Sequence, residues 1–122
     1  MGYKVKVELY FSAAHKLKGY KGKCESLHGH NWKVEVTIAS GYLDKIGLLV
    51  DFRKAKSMLK SVLNALDHKR IDNVPYFKKR NPTSEIVAEY IFSRYKSKIK
   101  PPMALESVSV WETPGSCATY YE

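Results

Sequence analysis

The sequence predicts an α+β domain: an antiparallel sheet with two helices on one face, in the order ββααββ. Three observations predict it. Apolar residues alternate with polar ones in two stretches near the N-terminus. The apolar period changes to that of a helix in two stretches in the middle. Short alternating stretches return at the C-terminal end, punctuated by Pro101-Pro102 and Pro114-Gly115.

The first strand runs from Tyr3 to Phe11, with Tyr3, Val5, Val7, Leu9 and Phe11 on one face. Residues 16–29 contain three glycines and read as a loop. The second strand carries Trp32, Val34, Val36 and Ile38 on one face and Lys33, Glu35 and Thr37 on the other. A turn region follows from Gly41 to Gly47, then an expected short strand at Leu48-Leu49-Val50. From Phe52 the spacing is helical: Phe52, Ala55, Leu59, Val62, Leu63 and Leu66 share a stripe, and Asp51 is placed as N-cap. Residues 69–82 are polar, contain two prolines and read as a connection. A second helix is expected from about Thr83, with Ile86, Val87, Tyr90, Ile91 and Tyr95 on its apolar face, ending before Pro101-Pro102. Leu105 to Glu112 and Cys117 to Tyr121 read as the last two strands. The two exposed edges of such a sheet need cover, and oligomerisation is one way to supply it.

A chain of 122 residues argues for one domain, residues 1–122. No apolar run approaches the ~20 residues of a membrane-spanning helix, and the alternating start, Met1 to Glu8, lacks the apolar region of a signal peptide. A cytoplasmic protein without a membrane partner is the expectation. Two cysteines, Cys24 and Cys117, do not make a disulfide framework, and Cys117 reads as structural. The net charge is 21 − 12 = +9. It favours anionic partners, either nucleic acid or a phosphorylated small molecule. Only Lys78-Lys79-Arg80 forms a basic run of three, which is weak support for a nucleic-acid arm.

The chain has only four histidines. His28 and His30 are two apart, so on an extended segment both imidazoles share the face of Trp32. His15 has the parity of the first strand's apolar face. If the two strands pair as a hairpin, all three imidazoles converge on the covered side. Three neutral imidazoles with a fourth position open are a catalytic zinc pattern, although imidazole also suits copper and nickel. The alternative is a set of hydrogen-bonded core histidines. Glu112 extends the apolar face of Val108 and Val110, and a carboxylate there needs partners, either N–H groups of a ligand or a lysine. His68 beside Asp67 reads as an acid/base pair or as a helix-terminal histidine satisfying carbonyls.

Six segments in order sharpen the reading: Phe11-Ser12-Ala13-Ala14-His15; Cys24-Glu25-Ser26-Leu27-His28-Gly29-His30-Asn31-Trp32; Gly47-Leu48-Leu49-Val50-Asp51-Phe52; Leu66-Asp67-His68; Asn81-Pro82-Thr83-Ser84-Glu85; and Trp111-Glu112-Thr113. Together they resemble the 6-pyruvoyl/6-carboxytetrahydropterin synthase family over about residues 4–121. The resemblance implies the tunnelling fold, a four-stranded antiparallel sheet with two helices, assembled as trimers that pair into homohexamers with active sites between subunits. It implies a zinc ion on His15, His28 and His30, a catalytic Cys24, an acid/base pair of Asp67 and His68, and Glu112 as the carboxylate that anchors the pterin. Thr83 and Glu85 then line the pterin pocket. The implied substrate is 7,8-dihydroneopterin triphosphate, converted to 6-carboxy-tetrahydropterin with release of triphosphate and acetaldehyde, or to 6-pyruvoyl-tetrahydropterin with loss of triphosphate. A branch of the family carries glutamate in place of the cysteine and cleaves the side chain to 6-hydroxymethyl-dihydropterin. Here Cys24 is followed by Glu25, so both groups stand at that place. A basic nucleic-acid-binding module accounts for the charge and the nine tyrosines but not for the ordered histidines, Cys24 or Glu112.

Overall fold

A computed structural model describes residues 1–19 and 26–122. Cys24 and Glu25, with Lys21 and Lys23, lie outside the described residues. Strand β1 spans Tyr3–His15 and β2 spans His28–Ser40. Helix α1 is Phe52–Leu63, strand β3 is Lys69–Arg70 and helix α2 is Ser84–Lys96. Strands β4 (Ala104–Thr113) and β5 (Ser116–Tyr121) complete the order. The sheet runs β3-β1-β2-β4-β5 and is antiparallel except where β3 lies parallel to β1.

Alternation decides which face is covered. Val7, Phe11 and Ala13 of β1, Trp32, Val34, Val36 and Ile38 of β2, and Val108 and Val110 of β4 are buried in one core with both helices. From α1 come Ala55, Leu59, Val62 and Leu63, and from α2 Val87, Ala88, Tyr90, Ile91, Phe92 and Tyr95. The opposite face of the sheet presents Lys4, Lys6, Glu8 and Tyr10 from β1 and stays open. Asp51 caps α1 by accepting from the Arg53 N–H at 2.8 Å. Thr83 caps α2 by accepting from the Ile86 N–H at 3.2 Å.

Four details differ from the expectation. The sheet has a fifth strand, the two-residue β3, inside the segment read as a connection. Leu48-Leu49-Val50 is not a strand. The Leu48 N–H goes to Asp44 Oδ1 at 2.9 Å, and the Leu48 carbonyl accepts from the Asp44 N–H at 2.8 Å. Its backbone groups are thus satisfied inside a tight loop, where Gly47 takes φ +87. Phe52 opens α1 but is exposed, whereas Leu66, just past the helix, is fully buried. Cys117 is exposed on β5 rather than packed away, because its parity places it on the open face.

The two helices are joined by a buried polar contact. Burial pushes the Tyr95 hydroxyl up to about 12, so it stays a donor, and it gives its proton to the Ala55 carbonyl at 3.0 Å. Tyr95→Phe is expected to destabilise the fold by about 1 kcal/mol, seen as a lower urea midpoint with an unchanged slope. An unchanged midpoint would show that the bond adds nothing net.

Candidate metal and acid/base site

The β1–β2 register builds the first part of the site. His15 stands directly opposite His28, and Ala13 opposite His30. All three imidazoles therefore fall on the covered face at one end of the hairpin, as their parity requires. Trp32 forms the floor. It is fully buried, stacks on Phe11 with ring centroids 5.7 Å apart, and meets His15 edge-on at 4.8 Å. Its indole N–H donates to the Ala13 carbonyl at 3.2 Å.

The fourth group comes from β4. The β4–β5 pairing slips between Trp111 and Thr113, where a single step on β5 answers two on β4. Glu112 is the additional residue, and it keeps the covered-face parity of Val108 and Val110 on the β2 side. Its Oε1 lies 2.6 Å from His15 Nε2, 2.9 Å from His30 Nε2 and 3.6 Å from His28 Nε2. One ligand atom from each of the four residues falls within 4.8 Å of all the others.

The outer nitrogens fix the tautomers. His15 Nδ1 donates to the Pro82 carbonyl at 2.8 Å, and His28 Nδ1 donates to the Ser26 carbonyl at 2.7 Å. Their Nε2 atoms then carry lone pairs, and these face a carboxylate oxygen. That arrangement is repulsive unless a cation or proton lies between them. His30 Nε2 is buried and makes no hydrogen bond, since its approach to Glu112 is close but misaligned. Burial holds the His30 imidazole below its ordinary pKa, with Glu112 opposing and both His28 and His15 adding to the lowering. A neutral imidazole, inward lone pairs, an orphaned nitrogen and backbone carbonyls steering the ring are what a metal-binding histidine set requires. His15, His28, His30 and Glu112 could hold a metal ion.

Asp67 and His68 are not among the four groups of this cluster. The Asp67 carboxylate accepts from the Ser12 N–H at 2.9 Å. That bond, and then the His68 imidazole, hold Asp67 below the usual carboxylate range, against the effect of burial. His68 Nδ1 lies 3.0 Å from Asp67 Oδ1, and the ring is 80% exposed. His68 lines a cavity that His30 also lines, along with Ser12, Ala14 and Asn31. The structure thus brings His15, His28, His30 and Glu112 together, and places Asp67 and His68 around the edge of β1. Thr83 has its hydroxyl engaged as the α2 cap. Glu85, in the first turn of α2, shares with Glu112 and Cys117 a small cavity of about 200 Å3. Sequence reasoning did not bring Glu112 to the imidazoles. Its parity with Val110 was the available signal for the covered face, but the β2–β4 register, Lys33 opposite Trp111, that brings it level with Trp32 had none.

Comparison with known proteins gives one answer. The family described as 6-pyruvoyl tetrahydropterin synthase matches residues 4–122. A 6-carboxy-5,6,7,8-tetrahydropterin synthase of Haemophilus influenzae is 32% identical over 143 residues, covering 98% of this chain and 99% of that protein. The protein of the same description from Synechocystis sp. is 36% identical over 119 residues, covering 93% and 89%. The solved 6-pyruvoyl tetrahydropterin synthase of Caenorhabditis elegans superposes with a TM-score of 0.85 at 31% identity, covering 100% of this chain and 96% of that one. The shared architecture is the tunnelling fold, with β3 as a short addition at one edge.

Proposed function

Because this chain belongs to the 6-pyruvoyl tetrahydropterin synthase family, we propose that it is a zinc-dependent carbon–oxygen lyase. It converts 7,8-dihydroneopterin triphosphate to 6-carboxy-tetrahydropterin with release of triphosphate and acetaldehyde, or to 6-pyruvoyl-tetrahydropterin with loss of triphosphate. Family membership supports a tetrahydropterin synthase activity. The observation that carries the metal dependence is the convergence of three Nε2 atoms on one carboxylate oxygen.

His15, His28 and His30 would hold the zinc, and the Lewis acidity it would supply toward the side-chain hydroxyls of the substrate would make the adjacent C–H protons easier to remove. In the cavity they share, Glu85 and Glu112 offer acceptors to the N–H edge of the pterin, and Thr83, the cap of α2, directly precedes Ser84 of that cavity. Cys24 takes a carbon-bound proton as thiolate. His68, held by Asp67, exchanges a proton elsewhere on the substrate. The site is completed between subunits of a homohexamer, a dimer of trimers, an assembly that would also cover the open face and edges of the sheet. The chain acts as one domain in the cytoplasm, and no helix among the described residues is long and apolar enough to cross a membrane.

The adjacency of Cys24 and Glu25 favours a second reading, cleavage of the side chain to 6-hydroxymethyl-dihydropterin with Glu25 as base. Incubating the metal-loaded protein with dihydroneopterin triphosphate and identifying the pterin by mass spectrometry tests both. The carboxy- or pyruvoyl-tetrahydropterin is the expected product, lost in Cys24→Ala and kept in Glu25→Ala. Hydroxymethyl product that persists in Cys24→Ala and vanishes in Glu25→Ala establishes the second reading. Unchanged substrate with metal bound overturns the enzymatic assignment.

A further inference from the structure

We propose that the basic cavity between the end of β1 and the segment 70–82 is a binding site for an oligophosphate group. The cavity measures about 450 Å3 and is lined by Lys16, Lys18, Arg70, Lys78, Lys79 and Arg80. Asp72 is the single acid in its wall, so the lining carries 6 − 1 = +5. Asp72 is paired with Arg70 at 3.2 Å, and Arg80 is paired with Glu89. Among the described residues, no carboxylate lies within ion-pairing distance of Lys16, Lys18, Lys78 or Lys79.

The two walls are fastened together. Asn81 Oδ1 accepts from the Lys18 N–H at 2.8 Å, and Asn81 Nδ2 donates to the Lys18 carbonyl at 2.7 Å. Asp72 Oδ1 also accepts from the Lys16 N–H, at 3.4 Å. Segments more than fifty residues apart in the chain are thus locked with their ammonium groups around one hollow. Gathering like charges in a concave, partly shielded wall costs free energy, and a compact polyanion offsets it. Arg70 adds a donor, since its buried Nε has no acceptor. The hollow suits a short, highly charged group, whereas a nucleic-acid backbone needs an extended track.

The cavity adjoins the metal cluster. Pro82 lines it and holds His15 Nδ1 through its carbonyl, and Lys16 directly follows His15. The identity of the ligand rests on the function proposed above, where the source is the triphosphate tail of the substrate. Free inorganic triphosphate is the other source of the same chemistry.

Calorimetric titration of the metal-loaded protein with sodium tripolyphosphate tests the site without turnover. Chelation of metal by the probe contributes equally to every variant. Lys78→Ala/Lys79→Ala is expected to bind at least about tenfold more weakly, since each charge-assisted phosphate contact typically accounts for about that factor. Lys98→Ala/Lys100→Ala removes the same charge beyond the far end of α2, roughly 20 Å away along the 13-residue helix, and is expected to bind as the wild type does. Equal weakening in both variants, or none in either, overturns the proposal. If tripolyphosphate competes with substrate and Lys78→Ala/Lys79→Ala raises KM at constant kcat, the tail is the source. Binding that differs between the variants without competition establishes the free anion as ligand. If the wild type turns nothing over while the binding difference persists, the pterin reading fails and the site stands. Turnover without any binding difference has the converse meaning.

Discussion

His28→Ala is expected to reduce bound metal from near one equivalent per chain to near zero, and to reduce turnover by about a thousandfold or more. Lewis-acid stabilisation of several kcal/mol is lost with the ion. The side chain suits the test because it is about one-third exposed at the start of β2. His15 is the less informative choice, since it is buried against Trp32 and its loss opens a hole in the core. Circular dichroism of His28→Ala is expected to match the wild type, and elemental analysis by mass spectrometry gives the metal content. A variant that keeps stoichiometric metal would show that His15, His30 and Glu112 hold it unaided. One that loses metal but keeps full turnover would remove the metal from the chemistry.

Much of this site was legible because a strand obeys a period of two. Once His15 is assigned the parity of Val7 and Phe11, and His28 and His30 that of Trp32, a hairpin has only one way to bring them together. The observed register, His15 opposite His28, is that arrangement. The helices were legible for the same kind of reason: Asp51 and Thr83 are caps, and the stripes from Ala55 to Leu63 and from Val87 to Tyr95 are buried as their spacing requires.

What was not legible depends on contacts between residues far apart in the chain. Lys69–Arg70 is too short and polar to announce a strand, and it becomes one because the chain leaving α1 is drawn to the edge of β1. The Asp67 carboxylate accepts from the Ser12 N–H, and the His68 N–H donates to the Ser12 carbonyl at 2.6 Å. Glu112 reaches the imidazoles through the register of β4 on β2, Lys33 opposite Trp111, which no local pattern encodes. Leu48 resembled a strand residue by composition, but the carboxylate of Asp44 captured its N–H first.

His68 gives the sharpest separation of stability from function. It is the single non-glycine residue with positive φ among the described residues, at +58. A side chain in the left-handed region costs on the order of 1 kcal/mol or more, and persists where surrounding structure over-determines it. Here the two bonds to Ser12 supply that determination. Glycine adopts this conformation freely, so His68→Gly relieves the strain while losing only an exposed ion pair with Asp67. The greater freedom of glycine in the unfolded chain offsets part of that gain. The net stability is therefore expected to stay within about 1 kcal/mol of the wild type. Turnover behaves differently. If His68 exchanges a proton with the substrate, both His68→Gly and His68→Ala are expected to lower kcat by about 100- to 10,000-fold with metal content unchanged. Imidazole added to His68→Gly is expected to restore part of the rate, because the variant leaves a space at an exposed position. A His68→Gly enzyme that is as stable as the wild type and equally fast would reduce the residue to a helix-terminal turn and return the acid/base role to another group.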